Sequence, residues 1–502
     1  MLCDLITYMA ELAVLSEELS SFFGSKTPTS LILTGAPGTG KTTLALQVLE
    51  NFKDKYKGIY LSTRVGDKTL YQQFPWIKEM EQKTKIIDSG RLFLDSLKIA
   101  EPKLEEEPVE AARALVRDLS GEEPKKVSRI LYNKYFKDLN IPEIKRVYSE
   151  VEQNLPNRSM IVIDSVEGLA SKYRLNEEAL VYALVKDLLE GGNTDLIFVL
   201  EKERSEKLEF IADGVIGLDQ DTFDGKRIRS MNLFKLRGIS FKFSKYLITL
   251  ADGKVRIFSP TTELSIHSIK SEVSEKAQNK TVISTGCRGL DDIMGGGFRA
   301  GTFNLITVSK DLTRPQYVPF ITQILGNILL NNVGILEVSS LGYTVEESRE
   351  KYSKLINTKV VDNLIRFIDY TGSKVNKSYV IPLSGRREST LDKLTKEISE
   401  LRKYNSSILY FLSLDTIEKY RGPVAIIETA EMINTIIDSK DFGIAVAKPG
   451  VEMEKQIANL AAVHINLVSI YNKLCLYCTE PKTIIYALEP GENSIFDLVP
   501  VV

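Results

Sequence analysis

The sequence predicts an α/β protein of two tandem domains, each a mostly parallel sheet flanked by helices. Three observations carry this reading. The chain has 502 residues, more than one core of ordinary size organises. Strand-sized apolar runs such as SLILTGA, MIVIDSV and DLIFVL are spaced as in successive βα units. The strand and turn pattern of the first half returns, incomplete, in the second, where STGCRGLDDIMGGGFRAGTFNLITV leads into a new apolar strand. We divide the chain into a first domain over residues 1–258, a linker over 259–280 and a second domain over 281–502.

Composition narrows the function classes. Hydrophobic residues at 43% and charged residues at 26% exclude collagen-like and wholly disordered chains. The 65 Lys plus Arg balance 67 Asp plus Glu, for a net charge of -2, so no overall positive field gathers nucleic acid or an anionic membrane. No apolar run approaches the roughly 20 residues that span a bilayer, and none is expected to. The start MLCDLITYMAELAVLSEELS lacks a signal-peptide pattern and only Cys3, Cys287, Cys475 and Cys478 occur, so a reducing, cytoplasmic location is expected.

The first chemistry-bearing element is SLILTGAPGTGKTTLALQVLENF. An apolar strand, a glycine-rich turn and a helix follow in the order a phosphate-binding loop requires. The loop runs Gly35, Ala36, Pro37, Gly38, Thr39, Gly40, Lys41, Thr42, Thr43. Its glycines let backbone amides and the helix start face phosphates, Lys41 brings an ammonium to the outer phosphates, and Thr42 offers a hydroxyl to Mg2+. KGIYLST and TKIIDSG are the next strands. The polar stretch over about 101–158 reads as short helices inserted between core strands. SMIVIDSV then ends a buried strand on Asp164, the carboxylate expected to share the magnesium with Thr42. DLIFVLEK and ADGVIGLD continue the sheet, and RSMNLFKLRGISFKFSKYLITLADGKVRIF alternates as hairpins do, with turns at Arg237-Gly238 and Asp252-Gly253.

The order GAPGTGKTT, MIVIDSV, LEFIADGVIGL, FKLRGISFKFSKYLITLADGKVRIF resembles the RecA-like ATPase domain of the KaiC family, and STRVGDKTLYQQFPW resembles the archaeal GvpD-type P-loop proteins within it. The resemblance implies tandem RecA-like P-loop NTPase domains, ATP with magnesium as ligands, and a homo-oligomer such as a hexameric ring. KaiC-like sites carry two glutamates beyond the second strand to polarise the attacking water. Here the aligned residues are Thr63, Arg64 and Val65. Glu167 is a candidate substitute, with Ser165 or another carboxylate as alternatives, and Arg64 could contact phosphate. Its charge favours holding ATP over cleaving it, so a weak ATPase is expected. By the same resemblance Lys235 and Arg237 of FKLRG reach a neighbouring subunit's γ-phosphate. The GvpD likeness also implies a role in controlling gas-vesicle genes.

The second domain is expected to be a degenerate copy. After FNLITV comes SKDLTRPQYVPF, without the glycines or the G-K-T ending. Lys310 cannot replace that cradle, and Pro315 and Pro319 are expected to disturb the start of the following helix. NVGILEVSSL, GPVAIIETAEMI and DFGIAVAKPG read as later strands, with Glu428 standing where the magnesium-binding Asp would be. HINLVSIYNKLCLYCTEPKTIIYALEP resembles the closing hairpin.

Other signals are weak. Cys475 and Cys478 would point to opposite faces of a strand, and His267 and His464 are isolated. Tyr71, Phe74 and Trp76 form an aromatic cluster for packing, or for stacking on a base or a protein partner. The function expected is nucleotide-dependent regulation with slow or conditional hydrolysis of ATP. A RecA/RadA-like paralogue acting on DNA and a non-hydrolysing ATP-gated scaffold are the alternatives. The protein partner is not legible.

Overall fold

A computed structural model describes residues 16–91, 141–202, 206–263, 282–354, 357–370, 377–383, 387–405, 407–437, 440–491 and 496–502. Cys3, His267, most of the proposed linker and residues 101–140 of the proposed insertion lie outside them. The chain divides into two compact units, Met1–Ser259 with Val502, and Pro260–Val501.

In the first unit the strands are β1 (Ser30–Thr34), β2 (Lys57–Ser62), β3 (Thr84–Asp88), β4 (Ser159–Asp164), β5 (Thr194–Val199), β6 (Gly214–Phe223), β7 (Lys226–Leu236), β8 (Lys245–Thr249) and β9 (Arg256–Ile257). Their order is β3-β2-β4-β5-β1-β6-β7-β8-β9. Pairing is parallel from β3 through β6 and antiparallel beyond. The parallel strands are near-continuous apolar runs because both faces are covered. Leu31 and Leu33 enter one core with Leu44, Leu46 and Val48 of the helix Lys41–Phe52. Ile32, Ile59 and Leu61 enter the other, with Ile144 and Val147 of the helix Pro142–Asn154. That helix is the described part of the insertion. Its Glu143 is buried and accepts hydrogen bonds from Ser89, Lys172 and Tyr173, fastening it to the end of β3 and to the helix Val166–Tyr173. Asp224-Gly225 closes β6 onto β7 with both residues at positive φ, the Asp-Gly hairpin signal.

The second unit repeats the topology. Its strands are β10 (Val282–Ile283), β11 (Phe298–Arg299), β12 (Phe303–Val308), β13 (Gly334–Val338), β14 (Ile365–Asp369), β15 (Val380–Pro382), β16 (Ile408–Ser413), β17 (Phe442–Ala447), β18 (Val463–Ile470), β19 (Lys473–Glu480), β20 (Ile485–Glu489) and β21 (Asp497–Val501). The large sheet runs β15-β14-β13-β16-β17-β12-β18-β19-β20-β21, so β12, β13, β16 and β17 occupy the places of β1, β2, β4 and β5. The α/β fold with two mostly parallel, helix-flanked sheets is the one the sequence predicts.

Two expectations for this unit are corrected. GPVAIIETAEMI is not a strand: Val424–Ile436 is a helix, burying Ile426, Ala430 and Ile433 at helical spacing while Glu428 is exposed. A four-residue apolar run does not separate the two periods. The strand in the place of β4 is ILYFLS, β16. Pro315 and Pro319 also fail to disrupt the helix Arg314–Leu330. Thr313 and Gln316 form a capping box ahead of it, and Pro315 sits in its first turn, where a missing N–H costs nothing.

Candidate functional site

Parallel register sets the site. Ser62 lies against Asp164, Asp164 against Val199, and Leu33 also against Val199. The ends of β1, β2, β4 and β5 therefore form one carboxyl edge, where open α/β sheets bind ligands. The phosphate loop leaves β1 there. Gly38 has φ +79° and Gly40 has φ +104°, which bends the loop back onto the start of the helix Lys41–Phe52. Lys41 Nζ donates to the carbonyls of Gly35 at 2.6 Å and Ala36 at 2.8 Å, and Thr39 Oγ1 donates to Ala36 O at 2.9 Å. Burial pushes the Lys41 ammonium below its ordinary value, with the nearby negative charges of Glu201, Asp164 and Glu167 opposing it.

Thr42 Oγ1 donates to Asp164 Oδ2 at 2.6 Å, and Tyr60 OH donates to the same oxygen at 2.7 Å. Burial pushes the Asp164 carboxyl above its ordinary value, against the hydrogen bonds of Thr42 and Tyr60 and the charge of Lys41. A hydroxyl and a carboxylate side by side form a hard oxygen donor pair, which fits Mg2+. Lys41, Thr42 and Asp164 wall a cleft of about 450 Å3, a volume typical of small-molecule sites. Leu70, Phe74 and Leu250 supply its apolar side, while Ser62, Val65 and Thr43 complete it near the sheet. Of the aromatic cluster, only Phe74 lines this cleft. Trp76 packs edge-on against it, centroids 6.1 Å apart, with the Lys254 ammonium 4.6 Å over the indole, and Tyr71 is half-buried against the same core.

Arg64 is also on the cleft wall, but its partner is a carboxylate: it forms an ion pair with Glu201, another cleft residue. Sequence reasoning missed Glu201. Its signal is a Glu-Lys pair one residue beyond the fully buried β5. Glu167 is buried and accepts from the backbone amides of Glu201 at 2.7 Å and Lys202 at 3.3 Å. Ser165 is fully buried and caps the helix Val166–Tyr173, accepting from Gly168 N at 3.2 Å.

Lys235 and Arg237 are not brought to this cleft. Lys235 Nζ donates to the carbonyls of Glu209 at 2.9 Å and Ala212 at 2.7 Å, and Arg237 pairs with Asp213 at 2.8 Å. Asp213 also accepts from Ser30 N and Oγ. Ser30 begins β1 and the phosphate loop follows its end, so these cations lie at the other end of the sheet from the loop.

At the same place in the second unit the cradle is gone. Leu312 is buried in the loop after β12, and Lys310 is exposed. Lys448 after β17 pairs with Asp415 after β16 at 2.8 Å, and Arg314 donates to Leu341 O at 2.9 Å. Those contacts leave a cavity of about 40 Å3 bounded by residues such as Tyr317, Glu337 and Lys351, room for a water or two and not a nucleotide. Cys475 and Cys478 are buried on β19 three residues apart, hence on opposite faces. Among the described residues no cluster of three His, Cys, Asp or Glu could hold a metal, and no helix is long and apolar enough to cross a membrane. His464 is pinned between Thr307 at 2.9 Å and Thr479 at 2.8 Å.

Known proteins are similar to this chain. The family model described as GvpD gas vesicle protein, P-loop domain, matches residues 19–234. Protein GvpD2 of Halobacterium salinarum is 24% identical over 93% of this chain and 91% of its own length. Protein GvpD1 of the same organism is 26% identical over 64% of this chain and 55% of its own. The circadian clock oscillator protein KaiC of Synechococcus elongatus is 25% identical over 55% of this chain and 48% of its own.

Proposed function

We propose that the first unit, which carries a KaiC-like P-loop domain of the GvpD type, binds ATP with magnesium and uses the bound nucleotide to regulate assembly or a partner. The convergence of Lys41, Thr42 and Asp164 at the carboxyl edge of the sheet carries the reading. Gly35 to Thr43 wrap the phosphates, and Lys41 exchanges its two loop carbonyls for phosphate oxygens. Thr42 and Asp164 hold the magnesium, which supplies charge neutralisation on the outer phosphates when bound. Phe74 and Leu70 offer an apolar face for the base.

Regulation is favoured over rapid turnover because the position beyond β2 holds Arg64, a cation. The names of the relatives, a gas vesicle protein and a circadian clock oscillator, support the same class. Lys235 and Arg237 make a homo-oligomer, such as a ring, the arrangement in which they touch phosphate. We take the second domain as a scaffold, joined through residues 259–280, and the location as cytoplasmic. The test is calorimetric binding of ATP and magnesium alongside phosphate release, with Lys41→Ala as control and with and without DNA. Absence of ATP binding by the unaltered protein refutes the reading, and turnover that needs DNA selects the recombinase-like alternative.

A further inference from the structure

The carboxylate missing beyond β2 is present beyond β5. Arg64 stands two residues past the end of β2 and Glu201 two past the end of β5, on either side of β4 and Asp164. Their side chains pair across the cleft that Lys41 and Thr42 also wall. The backbone carrying Glu201 is fixed from behind, because buried Glu167 accepts its amide hydrogen at 2.7 Å and that of Lys202 at 3.3 Å. Glu167 is absent from the cleft wall, and one of its oxygens is committed to those amides. The side chain of Glu201 faces the cleft, where Arg64 is its ion-pair partner among the described residues. Arg64 is half-exposed, 51% against 27% for Glu201; an ion pair of that exposure is weak and reversible.

Resting on the MgATP reading of this cleft, we infer that Glu201 is the water-orienting carboxylate of the site, that Glu167 positions it, and that Arg64 withholds it until a terminal phosphate competes for the guanidinium. In the step so enabled, a water oxygen bonds the terminal phosphorus while Glu201 accepts its proton. The bond from that phosphorus to the bridging oxygen breaks, its electron pair leaves with the diphosphate, and the proton passes from Glu201 to the phosphate released. Arg64 in place of a glutamate is then one half of an exchange of charge between two strand ends, and slow turnover follows from the fraction of time the pair is closed.

The test measures ATP affinity and phosphate release at saturating ATP and magnesium for the full chain and for Glu201→Gln, Glu167→Gln, Arg64→Ala and the Arg64→Ala, Glu201→Gln double variant, each checked for an unchanged unfolding transition. Glu201→Gln is expected to bind ATP as before and lose about 100-fold in phosphate release, the usual contribution of a general base. Glu167→Gln keeps an oxygen that can accept from both amides, so its release and ATP affinity stay near those of the unaltered protein, and a loss as large as that of Glu201→Gln would overturn the inference by making Glu167 the base. Arg64→Ala releases phosphate several-fold faster than the unaltered protein, and the double variant falls to the Glu201→Gln rate. Release unaffected by Glu201→Gln overturns the inference, and so does an Arg64→Ala protein that binds ATP but is no faster. ATP that fails to bind the unaltered protein refutes the site reading instead, a separable result.

Discussion

Thr42 and Asp164, 122 residues apart, are joined by a 2.6 Å hydrogen bond from the Thr42 hydroxyl to the Asp164 carboxylate. The bond closes the phosphate loop onto the end of β4 and holds together two oxygen donors that the magnesium reading assigns to one ion. Asp164→Asn keeps the shape and removes the anionic donor. We expect ATP affinity in the presence of magnesium to fall by ~10- to 100-fold, the ~1.5–3 kcal/mol of a charge-assisted contact, with little change when magnesium is chelated. Equal loss under both conditions, read by calorimetry, would remove the metal from the role of Asp164.

The phosphate loop permits a sharper test, because its glycines are not equivalent. Gly35 has φ +145°, and a Cβ there would lie 2.2 Å from the carbonyl oxygen of Leu218 on β6. That contact is with backbone and cannot relax by a rotamer. Gly38 has φ +79° with nothing within 4 Å of a Cβ. Gly35→Ala is expected to cost more than ~3 kcal/mol, and Gly38→Ala only the ~1–2 kcal/mol of left-handed backbone. Similar melting temperatures for the two variants would contradict the packing of β1 on β6.

What was legible in the sequence was local. The loop at Gly35 to Thr43 and the strand ending at Asp164 announce themselves by spacing and by apolar runs, and the absent loop after β12 is equally plain. What was not legible depended on pairing across the sheet. Arg64 and Glu201 are 137 residues apart, and only parallel register places both strand ends beside Asp164. Glu428 was misplaced because VAII is too short to show its period, while ILYFLS, the true counterpart of β4, ends on Ser413 and carries no acidic flag. Lys235 and Arg237 were visible as cations, but their distance from their own chain's loop follows from Asp213 binding the first residue of β1.

Glu143 links stability to pH. Burial pushes its carboxyl up, and the hydrogen bonds from Lys172, Ser89 and Tyr173 more than reverse this, leaving it below the ordinary glutamate value. A carboxyl depressed in the folded state stabilises fully above its unfolded value, near ~4.3, and loses that contribution as pH falls through the folded value. Glu143→Ala takes the carboxylate from the Lys172 ammonium, which keeps its bonds to Ser89, and is expected to cost ~3 kcal/mol at pH 7. The gap between variant and parent should shrink as urea unfolding is repeated from pH 5 down to pH 3. A gap that stays constant would place the contribution in packing rather than in the charge.

The contrast between the two units predicts one nucleotide per chain. In the first, Lys41 hydrogen-bonds the carbonyls of Gly35 and Ala36 at the base of an open cleft. In the second, Lys310 is exposed, Lys448 is committed to Asp415, and Arg314 donates to the carbonyl of Leu341. The side chains that close the second site are its own, so added ATP would have to break an ion pair and open a cavity of about 40 Å3 before meeting any glycine-built cradle. Calorimetry on the full chain should therefore give a stoichiometry near one, unchanged by Lys310→Ala. Lys41→Ala, which removes charge-assisted bonds to phosphate, should weaken binding by ~10- to 100-fold. A stoichiometry of two that falls to one in Lys41→Ala would show that the second unit takes a nucleotide by rearranging the Asp415 and Lys448 pair.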